Sequence, residues 1–136
     1  MKKWLDSKKD LSSIISQNNL SLPQEISKDR LDTIFELQKG LSEMMKLDRY
    51  PKDSEGRISA LSTAIMHEAV ELQRTTNWKW WKTPTNFDVS EAREELIDIW
   101  HFVVQASLEL NLTPDDIVEE YKKKNEINRE RQRTGY

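Results

Sequence analysis

Two pairs of acids, Glu68 and Glu71 in HEAVEL and Glu95 and Asp98 in EELIDIW, are the side chains of this sequence best suited to chemistry. A three-residue offset makes the two members of each pair neighbours on one side of a helix. With 23 residues between the pairs, they fall on separate helices. Two helices that each offer two carboxylates make an all-oxygen site. Such a site suits a hard divalent cation, Mg²⁺ first and Mn²⁺ second. A metal bed of this kind is most useful for handling phosphates. The plain alternative is a set of solvated helix acids in a chain that is 33% charged.

The apolar surroundings of the acids favour the metal. From Arg57 to Trp80 the residues Ile58, Leu61, Ile65, Ala69 and Leu72 recur at helical spacing, with Glu68 at the border of the stripe and Glu71 one step beyond it. From Val89 to Leu112, Leu96, Ile99, Trp100, Val103 and Leu110 form one face, which Ile97, Val104 and Leu108 widen. A helix apolar nearly all round is usually buried. Glu95, Asp98 and Phe102 share its remaining side. Carboxylates there need a cation or protons, because burying an unpaired charge is costly.

A length of 136 residues fits one domain with a real core. Only 3 Gly and 4 Pro, with little strand-like alternation, predict an all-α body. A net charge of −3, with Lys and Arg scattered, argues against nucleic acid as a partner held by bulk charge. Without cysteine there is neither a disulfide framework nor a thiolate metal site. No apolar run approaches the roughly 18 residues of a membrane span, and MKKWLDSKKDLSS lacks a signal-peptide core. The expectation is a soluble cytoplasmic protein with no membrane partner.

About five helices are predicted to position these residues. A short one runs from Lys3 to Gln17, before the break SLPQEIS. The second runs from Asp29 to Lys46 on a stripe of Leu31, Ile34, Leu41 and Met45, with Gln38 as a polar intruder on that stripe. DRYPKDSEGR is a loop by its Pro, Asp, Ser and Gly content. The third and fourth helices carry the acid pairs, separated by WKTPTNFD, with Ser90 opening the fourth. NLTPDD starts the last helix, with Thr113 as N-cap, Pro114 at the first helical position and acids at the positive end of the dipole.

Three further features bear on a ligand. NWKWWK places three tryptophans in four residues at a helix exit, either as a stacking wall for a base or as an apolar plug. Phe102, one turn after Asp98, is a second candidate wall. Lys124, Asn128 and Arg131 stand at i, i+4 and i+7 of the last helix, a face able to neutralise a polyphosphate, or else simply a charged surface. The spacing of Asp98 and His101 also matches one half of a diiron site, but ferritin-like bundles need two Glu-X-X-His units and this chain has no second.

Taken together, Glu68-X-X-Glu71, Glu95-X-X-Asp98, NWKWWK, DIWHF and KKNEINRERQRTGY resemble the dimeric, all-α dUTPase family, akin to the MazG-type nucleoside triphosphate pyrophosphatases. The resemblance runs from about Leu31 to Tyr136. It divides the chain into an N-terminal extension over 1–26, expected to be helical, and a pyrophosphatase domain over 27–136. It implies a homodimer that hydrolyses dUTP to dUMP and pyrophosphate, sparing the nucleotide pool and supplying a dTMP precursor. By the same resemblance Glu68, Glu71, Glu95 and Asp98 would hold Mg²⁺ on the triphosphate, and Glu71 is nominated to accept the proton of water. Trp80 and Phe102 match the aromatics that sandwich uracil, and Gln38 an amide that helps to read it. Lys124, Asn128, Arg131 and Tyr136 match C-terminal phosphate and sugar contacts. Relatives often carry an asparagine close behind the glutamine, whereas Leu41 and Ser42 follow Gln38 here. The alternatives are a pyrophosphatase for dCTP or a modified nucleotide, and an inactive helical interaction protein of the same fold.

Overall fold

Helical periodicity with few breakers yields helices alone. The computed structural model describes residues 29–45 and 47–135. Among these residues there are four α-helices and no strand: α1 (Arg30–Met44), α2 (Ser54–Arg74), α3 (Val89–Glu109) and α4 (Pro114–Thr134). The expected bundle of about five is thus four in the described residues; the short helix expected at 3–17 and the extension over 1–26 lie outside them. Leu31–Tyr136 form one compact unit, which α1 opens and α4 ends.

Three of the four helix starts show a local cause. Asp53 caps α2 by accepting from the Gly56 N–H, and Asp88 caps α3 by accepting from the N–H groups of Ser90 and Glu91. The cap of α3 is therefore Asp88; Ser90, expected to open the helix, sits inside its first turn. Thr113 and Asp116 form the reciprocal capping box of α4, with Pro114 just inside it. The end of α3 is a Schellman turn. Asn111 takes φ 56°, and the N–H groups of Asn111 and Leu112 bond back to the Leu108 and Ser107 carbonyls. Asparagine tolerates that left-handed conformation better than most side chains.

α2 and α3, 21 residues each, pack on one another along helices about 30 Å long. α1 is bonded to α3 through the side chain of Gln38. Phe35 and Gln38 of α1, Leu61 of α2, and Val104 and Ser107 of α3 are the buried positions. The stripe expected for α1 holds at Gln38, which is buried, and at Leu31, Leu41 and Met45, which are half-buried; Phe35 is buried in place of Ile34, which is 41% exposed. Gln38 finds polar partners on α3. On α3, Leu96, Ile97, Trp100 and Val103 remain exposed, although the sequence predicts a buried helix there. Met66 and Val70 of α2 are exposed as well. Among the described residues these side chains are left open to solvent. No helix of the described residues is long and apolar enough to cross a membrane.

Candidate functional site

The acid pairs lie on the two helices that pack together, and this packing turns spacing in sequence into a cluster in space. Glu68 from α2 meets Glu95 and Asp98 from α3, with one carboxylate oxygen of each within 4.8 Å of the others. All three are half-buried. Three like charges at that separation repel strongly when partly shielded from water, so a bound cation is a natural complement. The donors are all carboxylate oxygens, the set that a hard divalent ion prefers. The residues present therefore fit such a metal.

Glu71 stands apart from the trio. Its Oε1 accepts a 2.9 Å bond from Arg74 Nη1, one turn further along α2, and its side chain is 43% exposed. The three-residue offset that leads Glu68 to α3 leaves Glu71 facing along its own helix.

The tryptophan segment is a loop, since α2 ends at Arg74 rather than at Trp80. Thr75 and Thr76 turn their hydroxyls back onto the Leu72 and Gln73 carbonyls, which offers those carbonyls a partner other than the next helical turn. Asn77 then closes the loop by bonding both the N–H and the carbonyl of Thr85 at 2.9 Å. Within it Trp81 lies edge-on to Trp78 and to Trp80, with centroids 5.7 and 5.4 Å apart. Trp80 is 86% exposed. A ring so open to solvent is available to stack; Phe102, half-buried on α3, is the other candidate wall.

Gln38 is 6% exposed, yet its amide is satisfied at both ends. Nε2 donates to Gln105 Oε1 at 3.0 Å, and Oε1 lies 2.8 Å from His101 Nδ1. Gln105 in turn donates to Glu109. Sequence periodicity does not reveal these partners, because they lie more than 60 positions from Gln38. The available signal is the polar residue on the α1 stripe and the i, i+4 spacing of His101, Gln105 and Glu109 on α3. A cleft of about 510 Å³ opens beside this network, lined by Ser42, Tyr50, Lys52, Arg57, Gln105 and Glu109 among others. None of the four acids lines it. The all-carboxylate trio, whose donors fit a hard cation, lies outside the cleft.

Lys124, Asn128 and Arg131 are exposed on α4, a helix with no buried residue. Tyr136 lies outside the described residues.

A family model described as dUTPase matches residues 30–114. The chain belongs to the all-α dUTPase family. The matched span takes in α1, the acid pairs, the tryptophan loop and Phe102; α4 beyond Pro114 lies outside it. No curated protein and no solved structure matches the chain.

Proposed function

We propose that this dUTPase-family protein hydrolyses dUTP to dUMP and pyrophosphate with Mg²⁺. The observation that carries this reading is the convergence of Glu68, Glu95 and Asp98 from two helices, within a chain whose family is defined by nucleotide hydrolysis. When bound, a divalent ion would neutralise phosphate oxygens and lower the pKa of a coordinated water. Glu68, Glu95 and Asp98 would hold it. Glu71, one turn from Glu68 and open to water, would take up the proton of the attacking water as general base or complete the ligand set. Trp80 and Phe102 would stack on the base, and Gln38 would contact its edge. Lys124, Asn128 and Arg131, with Tyr136, would bind the phosphates and sugar. Pyrophosphate release from a panel of nucleotides, with and without Mg²⁺, tests the reading. Release from dUTP above all others is expected, and none from any nucleotide would sink it. A preference for dCTP or a modified base is the second reading; Leu41 and Ser42 behind Gln38, where relatives often have asparagine, favour keeping it in the panel.

A homodimer is proposed, and the exposed apolar side chains of α2 and α3 support it. Leu96, Ile97, Trp100 and Val103 follow one another along α3, and Met66 and Val70 project from α2, each more than 40% exposed. Isolated apolar residues on a surface are ordinary, but a contiguous patch marks an interface. A second copy packed about a two-fold axis is the commonest way to cover one. Light scattering at micromolar concentration should give twice the mass of one chain, and a monomer mass would end the idea.

α4 is proposed to close over the triphosphate. It is held by local pairs such as Lys123 with Glu119 and Glu120, and Arg133 with Glu126 and Glu130. Such exposed pairs add little stability each. Amide exchange over residues 122–136 should slow when a non-hydrolysable dUTP analogue and Mg²⁺ are added. Equal exchange in both states would return α4 to a plain surface helix.

A further inference from the structure

The hydrogen-bond chain behind Gln38 has a direction, and its source is a carboxylate at the far end. Glu109, the last residue of α3, accepts from Gln105 Nε2 at 3.2 Å and from the Tyr50 hydroxyl at 3.1 Å through Oε1, while Oε2 takes Arg57 Nη1 at 3.2 Å. A carboxylate beside a guanidinium only accepts. Tyr50 can only donate to it at neutral pH, because burial, then the bond and charge of Glu109, push its phenol up to about 12. Arg57 is itself fixed, through Nε to the Pro51 carbonyl at 2.7 Å, and it covers the Tyr50 ring. The anchor is therefore rigid and acceptor-only.

Each link then sets the next. With Nε2 of Gln105 aimed at Glu109, its Oε1 is the atom left to face α1, and it can only accept. Gln38 must present Nε2 to it, at 3.0 Å. That puts Gln38 Oε1 toward His101 Nδ1, which must carry a proton to donate across 2.8 Å. Reversing any one amide would bring two acceptors or two donors face to face around a residue that is 6% exposed, where an unmade hydrogen bond is most costly.

We propose that Glu109 and Gln105 are positioning residues for base choice, holding the Gln38 amide in one of its two orientations. The proposal rests on the assignment of Gln38 to the base. An amide that turns over freely offers N–H or C=O to a ligand with equal ease and tells no base edge from another. A fixed amide keeps its second N–H and its second carbonyl lone pair in set places. Uracil presents a carbonyl acceptor at C4 where cytosine presents an amino donor. A locked amide matches one pattern and opposes the other, and an unlocked one serves both. Selectivity is thus set from the end of a different helix, by a carboxylate that reaches Gln38 only through Gln105.

The test pairs kinetics with a direct view of the chain's direction. Gln105→Leu removes the middle link while filling similar space. The ratio of kcat/KM for dUTP over dCTP should fall by about tenfold, the size of one hydrogen bond's net contribution, mostly through KM. That ratio is blind to the fraction of protein that folds. In a Gln38→Leu background the same substitution should leave the ratio where Gln38→Leu put it. Separately, ¹⁵N NMR of neutral His101, one of only 2 histidines, should show the proton on Nδ1 in the wild type, with mixed tautomers after Gln105→Leu. A Gln105→Leu enzyme with the wild-type ratio, or a wild-type His101 protonated on Nε2, overturns the proposal. A wild type that cleaves neither nucleotide overturns the functional reading and the role in base choice with it. The histidine tautomer then shows whether the relay itself was misread.

Discussion

Glu95→Gln should lower kcat/KM for dUTP by about a hundredfold or more, since even outer-shell partners of metal ligands cost about 10–100-fold when removed. An amide keeps the shape of the side chain and discards the charge that a hard cation needs. The fold should hold: Glu95 sits on α3 among half-exposed side chains, and one fewer negative charge relieves repulsion with Glu68 and Asp98. Far-UV circular dichroism and Tm should be unchanged or improved while activity at limiting Mg²⁺ is lost. Wild-type activity in both Glu95→Gln and Asp98→Asn would overturn the metal assignment. Glu71 gives the informative contrast. Should it serve as base, Glu71→Gln will bind Mn²⁺ as the wild type does yet turn over slowly. Should it join the ligand set when a metal binds, Glu71→Gln will weaken Mn²⁺ binding as Glu95→Gln does.

Much of this is legible in the sequence because helices convert spacing into geometry without help from the rest of the fold. The three-residue offsets and the Thr113-Pro114 start are local, and each stands where the sequence places it. Contacts between distant positions leave no such mark. The offset puts Glu68 and Glu71 on one side of α2, but only the packing of α2 on α3 separates Glu68, which meets Glu95 and Asp98, from Glu71, which meets Arg74. Apolar periodicity carries α2 too far, to Trp80. Threonine hydroxyls and an asparagine bridge stop it at Arg74, and such side-chain competition leaves little trace in the apolar pattern. Gln38 looks like a flaw in an apolar stripe. In the fold it is buried on that stripe, where an amide needs partners and His101 and Gln105 supply them.

The open tryptophan loop leads to the second large effect. Trp80→Ala and Phe102→Ala should each raise KM for dUTP by roughly tenfold or more, as stacking of a base on an aromatic is worth about 1–3 kcal/mol. Their structural costs should differ. Trp80 is 86% exposed and touches Trp81 edge-on, so its removal should leave Tm nearly unchanged. Phe102 is half-buried on α3, so its truncation should lower stability as well as affinity. The signature of a base sandwich is that both variants lose binding of a non-hydrolysable dUTP analogue by similar factors, although only one loses stability. Mg²⁺ binding should be intact in both, because neither ring belongs to the carboxylate trio. Phe102→Ala with wild-type affinity for the analogue would make Phe102 a packing residue. Trp80→Ala with wild-type affinity would leave the loop's exposed indole without a base to stack on.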